Sequence, residues 1–206
     1  MRPLVLLGVA AAAAAFAAAS TRRAQAQASG PLTAKATRVL LAGDSIMVGS
    51  QAFVAPTKLS VASVGATLLT AKKQVGAAFN DFDALVVSGG LNDLAGGATA
   101  EKIVERAEAV WQLGKARGMR VAHLELTPFA GGAYANKLDE SERKRTNALL
   151  RERAGDVTIL PSSALVADPS DASRLKAEFA APDKLHMQPD GYRALANMID
   201  AWRGVR

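Results

Sequence analysis

The chain has no cysteine. That excludes disulfides, thiol nucleophiles and thiolate metal sites, and leaves the fold to be held by its core alone. It also excludes a lipid anchor on a cysteine after a leader. Histidine is nearly as scarce, with two residues in 206, too few for a histidine-built metal centre. Aromatic residues make up 5% of the chain. There is no long run of basic residues and no recognisable nucleic-acid motif, which argues against DNA or RNA as a partner.

Apolar residues are abundant instead, at 50% of the sequence, with alanine foremost. The first stretch of them does not read as core. Met1-Arg2-Pro3 gives a positive start, Leu4 to Ala19 is unbroken apolar sequence, and small-residue sites follow at Ala24-Gln25-Ala26 and Ala26-Gln27-Ala28. This layout predicts a cleavable signal peptide over 1–26, too short and weakly hydrophobic to span a membrane, with a linker over 27–37. The product is expected to be periplasmic or secreted, with no stable membrane insertion after cleavage. Removing Arg2, Arg22 and Arg23 halves the formal charge, from +6 to +3 (22 Lys and Arg against 19 Asp and Glu). One domain of ordinary size, 38–206, remains.

Within it, continuous apolar runs alternate with helix-period segments. Val39 to Ala42, Leu59 to Val64, Asp83 to Ser88, Arg120 to Leu126 and Val157 to Leu160 read as strands. Ile46 to Ala55, Leu68 to Phe79, Thr99 to Arg117, Asp139 to Ala154 and Pro189 to Arg203 read as helices. The third of these starts on the cap Thr99 and stops at Gly118. Runs that are apolar throughout, rather than at every second residue, belong to strands covered on both faces. The expectation is a three-layer α/β/α domain with a sheet of about five parallel strands.

Three of the strands end in small-residue turns: Gly43-Asp44-Ser45, Gly65-Ala66-Thr67 and Gly90-Leu91-Asn92-Asp93. Parallel strands bring such ends to one edge, where ligands bind. Ser45 offers a hydroxyl, Gly65 an unshielded backbone N–H, and Asn92 a side-chain amide. Near the C-terminus, Asp183-Lys184-Leu185-His186 places a carboxylate three residues before an imidazole. His186 can act as base to a serine while Asp183 reaches the other ring nitrogen and fixes the tautomer. Hydroxyl, oriented base and oxyanion donors are the parts needed for acyl transfer.

These blocks, GDSIMVG (43–49), SVGAT (63–67), GLND (90–93) and DKLHMQPDGY (183–192), resemble in content and order the SGNH, or GDSL-like, hydrolase superfamily. The resemblance runs from about Thr37 to Arg203. It implies a flavodoxin-like fold, with Ser45 as nucleophile and Ser45, Gly65 and Asn92 as the oxyanion hole. It implies His186 as base and Asp183 as its orienting acid, with no cofactor and no metal. Ile46 and Leu91 depart from residues common in the family, but neither removes a reacting atom. The site is not the Gly-x-Ser-x-Gly elbow of α/β-hydrolases.

Other residues carry milder expectations. His123 and Glu125 share a strand face but lack a third ligand, so His123 reads as structural. Asp44 and Asp93 read as turn-fixing carboxylates, and Asp139 to Arg145 as a solvated helix face. The glycine-containing loop Thr127 to Lys137 leaves from the catalytic edge, so Phe129 and Tyr134 are candidates to line the substrate pocket. The function expected is an exported serine esterase acting on small-molecule or glycan esters, with short acyl groups favoured because a compact chain has little material for a lid. An acyltransferase using the same site, a lysophospholipase or thioesterase, and a non-catalytic envelope- or glycan-binding module are the alternatives.

Overall fold

In the computed structural model, residues 38–78, 81–131 and 136–205 are described. The expected leader and linker, and Tyr134, lie outside these residues.

Five strands form one sheet: β1 (Val39–Gly43), β2 (Lys58–Ser60), β3 (Ala84–Ser88), β4 (Arg120–Leu124) and β5 (Thr158–Leu160). All pairings are parallel and the order is β2-β1-β3-β4-β5. The helices are α1 (Ser45–Gln51), α2 (Leu68–Ala77), α3 (Leu91–Ala95), α4 (Ala100–Ala116), α5 (Glu140–Arg153), α6 (Ser162–Val166) and α7 (Pro189–Arg203). A short antiparallel hairpin, β6 (Ala167–Asp168) and β7 (Asp171–Leu175), follows α6.

Alternate residues of the central strands feed two cores, as the pleat requires. Leu40, Ala42, Leu85, Val87 and Val121 pack with α2, α3, α4 and α5 residues such as Leu68, Leu94, Ile103, Trp111 and Leu150. Val39, Leu41, Val86, Ala122 and Leu124 pack against Met47 of α1 and Ala196 and Ile199 of α7. Both strand faces are buried, and the fold is the three-layer α/β/α sandwich expected. A third cluster, with Ile46, Leu175, Met187 and Leu195 at its centre, joins α1, the hairpin and the start of α7 near the C-terminal edge of the sheet.

Three local expectations are corrected. The second strand is shorter than Leu59–Val64: ladder pairing ends at Ser60, although Val61 and Ser63 still donate N–H to the Leu41 and Gly43 carbonyls at 2.8 and 3.0 Å. The Gly90–Asp93 turn is the start of α3, entered through Gly90 at φ 116°. The face of α5 is not wholly solvated. Arg143 is 2% exposed, grips Glu140 with Nε and Nη2 (2.6 and 2.5 Å), and donates to the Leu126 carbonyl and Ser163 Oγ (2.9 and 2.8 Å). A buried guanidinium needs that many partners, and here they tie the helix to the loop after β4 and to α6.

Candidate active site

Gly43 closes β1 at φ 136°, with its Cα against the next strand: a Cβ there would lie 1.8 Å from the Ser88 carbonyl oxygen. Only glycine permits this approach. Asp44 follows as the N-cap of α1. Its Oδ1 accepts from the Ile46 N–H at 3.1 Å and from Ser88 Oγ at 3.0 Å. The carboxyl is fully buried, and burial raises its pKa despite these hydrogen bonds. Its contacts are those of a turn-fixing group, and they lock the first helical residue, Ser45, to the edge of the sheet.

The Ser45 hydroxyl is partly exposed and lies 2.9 Å from His186 Nε2. His186 Nδ1 is 2.6 Å from Asp183 Oδ2. The other oxygen of Asp183 accepts the backbone N–H groups of Leu185 and His186, at 3.1 and 2.9 Å. Partial burial pushes the Asp183 carboxyl up, but the hydrogen bonds from the His186 ring and from these two amides outweigh it and hold the pKa below the ordinary carboxylate value. An ionised Asp183 requires hydrogen on Nδ1, which leaves Nε2 as the acceptor facing the serine. Lys184 bridges the two at φ 59°, an uncommon conformation for a non-glycine residue.

The strand register sets the other two turns beside this one. Gly43 pairs with Ser88 on one side, and its carbonyl receives the Ser63 N–H on the other. Gly65 sits two residues past Ser63 at φ 76°, with open space where a Cβ would be. Asn92, in the first turn of α3, donates Nδ2–H to the Ala66 carbonyl at 3.0 Å. The Asn92 amide is therefore tied to the backbone one residue past Gly65, a link no spacing rule announces. Asp93 is also a turn-fixing carboxylate, more deeply than its sequence suggests: it accepts the Leu68 N–H at 2.9 Å and Arg106 Nη1 at 2.7 Å.

Residues 41–194 match the GDSL-like lipase/acylhydrolase family. The chain belongs to that family. Being a GDSL-like acylhydrolase, it is an ester-cleaving hydrolase. Solved structures agree in fold at low identity. A GDSL-like lipase from Bacteroides thetaiotaomicron is 17% identical, with TM-score 0.71 over 90% of this chain and 97% of that one. A lipase/acylhydrolase from Enterococcus faecalis is 17% identical, with TM-score 0.62 over 81% and 95%. An acetyl xylan esterase is 20% identical, with TM-score 0.59 over 82% and 99%. No curated protein matches the chain.

The structure does not place Phe129 as an open pocket wall. It is 2% exposed and packs in the larger core with Leu126 and Leu138, because the loop after β4 turns inward and is pinned where the Ala130 N–H meets the Ser173 carbonyl at 2.9 Å. His123 is fully buried beneath Trp111, whose Nε1–H it accepts on Nδ1 at 2.9 Å. Desolvation lowers its pKa from 6.5 to about 4, partly offset by a hydrogen bond to the Gly89 backbone. Its neutral form carries hydrogen on Nε2, since Nδ1 is the acceptor.

One packing contact beside the candidate site escaped sequence reasoning. A Cβ on Gly49 would fall 2.3 Å from the Tyr192 ring, so the ring of α7 lies directly on the backbone of α1. The signal was present in the first and last family blocks, but only the fold brings them face to face.

Proposed function

We propose that the protein is an exported serine esterase that removes short acyl groups, such as O-acetyl, from small-molecule or glycan esters through an acyl-Ser45 intermediate. The observation that carries this is the hydrogen-bonded line Asp183–His186–Ser45, with a charged carboxylate at one end and a partly exposed hydroxyl at the other. His186 Nε2 takes the serine proton as Oγ attacks the ester carbonyl. Asp183 stabilises the imidazolium that forms. The carbonyl oxygen becomes an oxyanion, for which the Ser45 and Gly65 N–H groups and Asn92 Nδ2 are the donors. His186 then gives its proton to the departing alcohol, and later activates a water that releases the acid and regenerates Ser45.

The family supports ester cleavage, and the acetyl xylan esterase among the structural neighbours is in keeping with a short acyl group. Export rests on the leader-like sequence over 1–26. The test uses chain lacking 1–26, a fluorophosphonate probe, and aryl esters graded from acetyl to octanoyl. Wild type should be labelled covalently and should favour the shortest esters, and Ser45→Ala should abolish labelling and turnover with the fold intact. Labelling that survives in Ser45→Ala would show that another residue is the nucleophile. A preference for the longest esters would remove the short-acyl reading.

A further inference from the structure

Beside Asn92 lies a cavity of about 520 Å³ that the acyl-transfer steps do not use. Its wall includes Thr67, Asn92, Gly96, Gly97, Lys102 and Arg106, and no apolar side chain larger than alanine. An alkyl chain would gain little by entering it, whereas its size suits a group as large as a sugar ring. Because Asn92 belongs both to this wall and to the proposed oxyanion hole, a group seated here is attached close to the reacting ester.

The charge of the wall is unbalanced. Lys102 and Arg106 stand one turn apart on α4 and so share a face. Asp93 is the one carboxylate in the lining, and its side chain is completely buried. Both of its oxygens are committed, one to Arg106 Nη1 and one to the Leu68 N–H. The Arg106 bond fixes the guanidinium while the side chain remains 23% exposed; its Nε–H is buried, without a hydrogen-bond partner among the described residues, so the exposed part of the group is what faces the cavity. Lys102 is half exposed and, among the described residues, pairs with Glu105 alone, itself 63% exposed, at 2.9 Å. An exposed pair of that kind is weak and screened by salt, so Lys102 exchanges it readily for another anion. The start of α4 adds nothing, because Glu142 and the Thr99 hydroxyl already accept the Ala100 and Lys102 amides at 2.7 and 3.4 Å.

We propose that this cavity is a substrate subsite for a carboxylate carried by the ester, with Arg106 as the fixed cation and Lys102 as the one that swings to meet it. The inference rests on the esterase reading above. The carboxylate can belong to the alcohol, as in an acidic sugar, or to the acyl group, as in the half-ester of a dicarboxylic acid.

Two substrate pairs separate these sources. For the alcohol side, para-acetoxybenzoate is compared with para-acetoxybenzamide; for the acyl side, the monophenyl ester of adipic acid is compared with its terminal amide. In at least one pair the wild-type kcat/KM should favour the carboxylate about tenfold, mainly through KM, and the ratio should shrink as salt shortens the Debye length from about 30 Å to below about 8 Å. Lys102→Glu should bring that ratio to parity or below, while Lys144→Gln, on exposed α5 surface, should not change it. Parity in both wild-type pairs, with the neutral esters turned over, overturns the subsite alone. A preference that survives both Lys102→Glu and high salt also overturns it. Turnover of no ester at all overturns the proposed function, and the subsite with it.

Discussion

The Asn92 amide stands between two demands, holding the Ala66 carbonyl with one N–H while its second is the donor proposed for the oxyanion. A donor to an oxygen that becomes fully negative only in the tetrahedral intermediate acts mainly in the transition state. Asn92→Ala should therefore lower kcat by roughly 10²–10³ with KM little changed. Asn92→Asp should be at least as damaging, because it turns an anion toward both the Ala66 carbonyl and the developing oxyanion. Steady-state kinetics on an acetyl ester decides: a rise in KM with kcat intact would make Asn92 a ground-state binding group. The Asp183–His186–Ser45 line was legible in the sequence because the acyl transfer proposed here needs few residue types, and these sat at strand ends or, for Asp183 and His186, three positions apart. Ser88, Arg106 and the Asn92–Ala66 bond were not legible. Each works through a partner more than ten positions away, and none has a spacing that points to it. Phe129 misled for the opposite reason: a loop leaving the catalytic edge folds back under it.

At the level of elements, the site depends on how α1 and α7 meet. α1 carries Ser45 and α7 follows directly from His186, and the Tyr192 ring on the Gly49 backbone sets their separation. Gly49→Ala should force the ring away, costing about 1–3 kcal/mol as overpacking does and lowering activity by stretching the Ser45–His186 contact. In a Tyr192→Ala background the same substitution should cost much less, since the clash is gone. Equal cost in both backgrounds, measured by urea unfolding, would show that the pair is not coupled. The full length of α7, Pro189 to Arg203, is legible in its regular apolar stripe, and the structure adds the reason for its ends: proline in the first turn and Gly204 as the left-handed cap. The β6–β7 hairpin was not foreseen. Its residues are mostly polar and half exposed, so no period-two pattern marks it, and it is held by Arg143 and Ala130 from elsewhere in the chain.

For the molecule as a whole, His123 links stability to acidity. It is buried neutral, with its pKa lowered to about 4 from 6.5. Below pH 6.5 the unfolded chain takes up a proton that the native one refuses, so stability falls as pH drops toward 4; below that both states are protonated and this loss stops. The group accounts for about 3 kcal/mol over that window. His123→Asn keeps an acceptor for Trp111 and does not titrate, so its urea midpoint should vary less between pH 6.5 and 4 than that of wild type, by close to one proton in slope. An unchanged slope would mean that His123 protonates in the native state without penalty. The global architecture was open to sequence reading for one reason: strands buried on both faces are apolar almost throughout, with His123 and Ser88 the buried polar exceptions, and the two layers of helices are what covers them. A last consequence lies in the order in which the chain is made. Asp183 and His186 are paired within one turn of backbone, but Ser45 reaches them across 141 positions. During synthesis the proposed nucleophile is complete early and its proposed base arrives late, so on this reading the nascent chain passes through most of its production chemically silent. Hydrolytic competence is then a report that the C-terminal helix has docked, and a fluorophosphonate probe added to chains stalled before and after residue 186 would time that event.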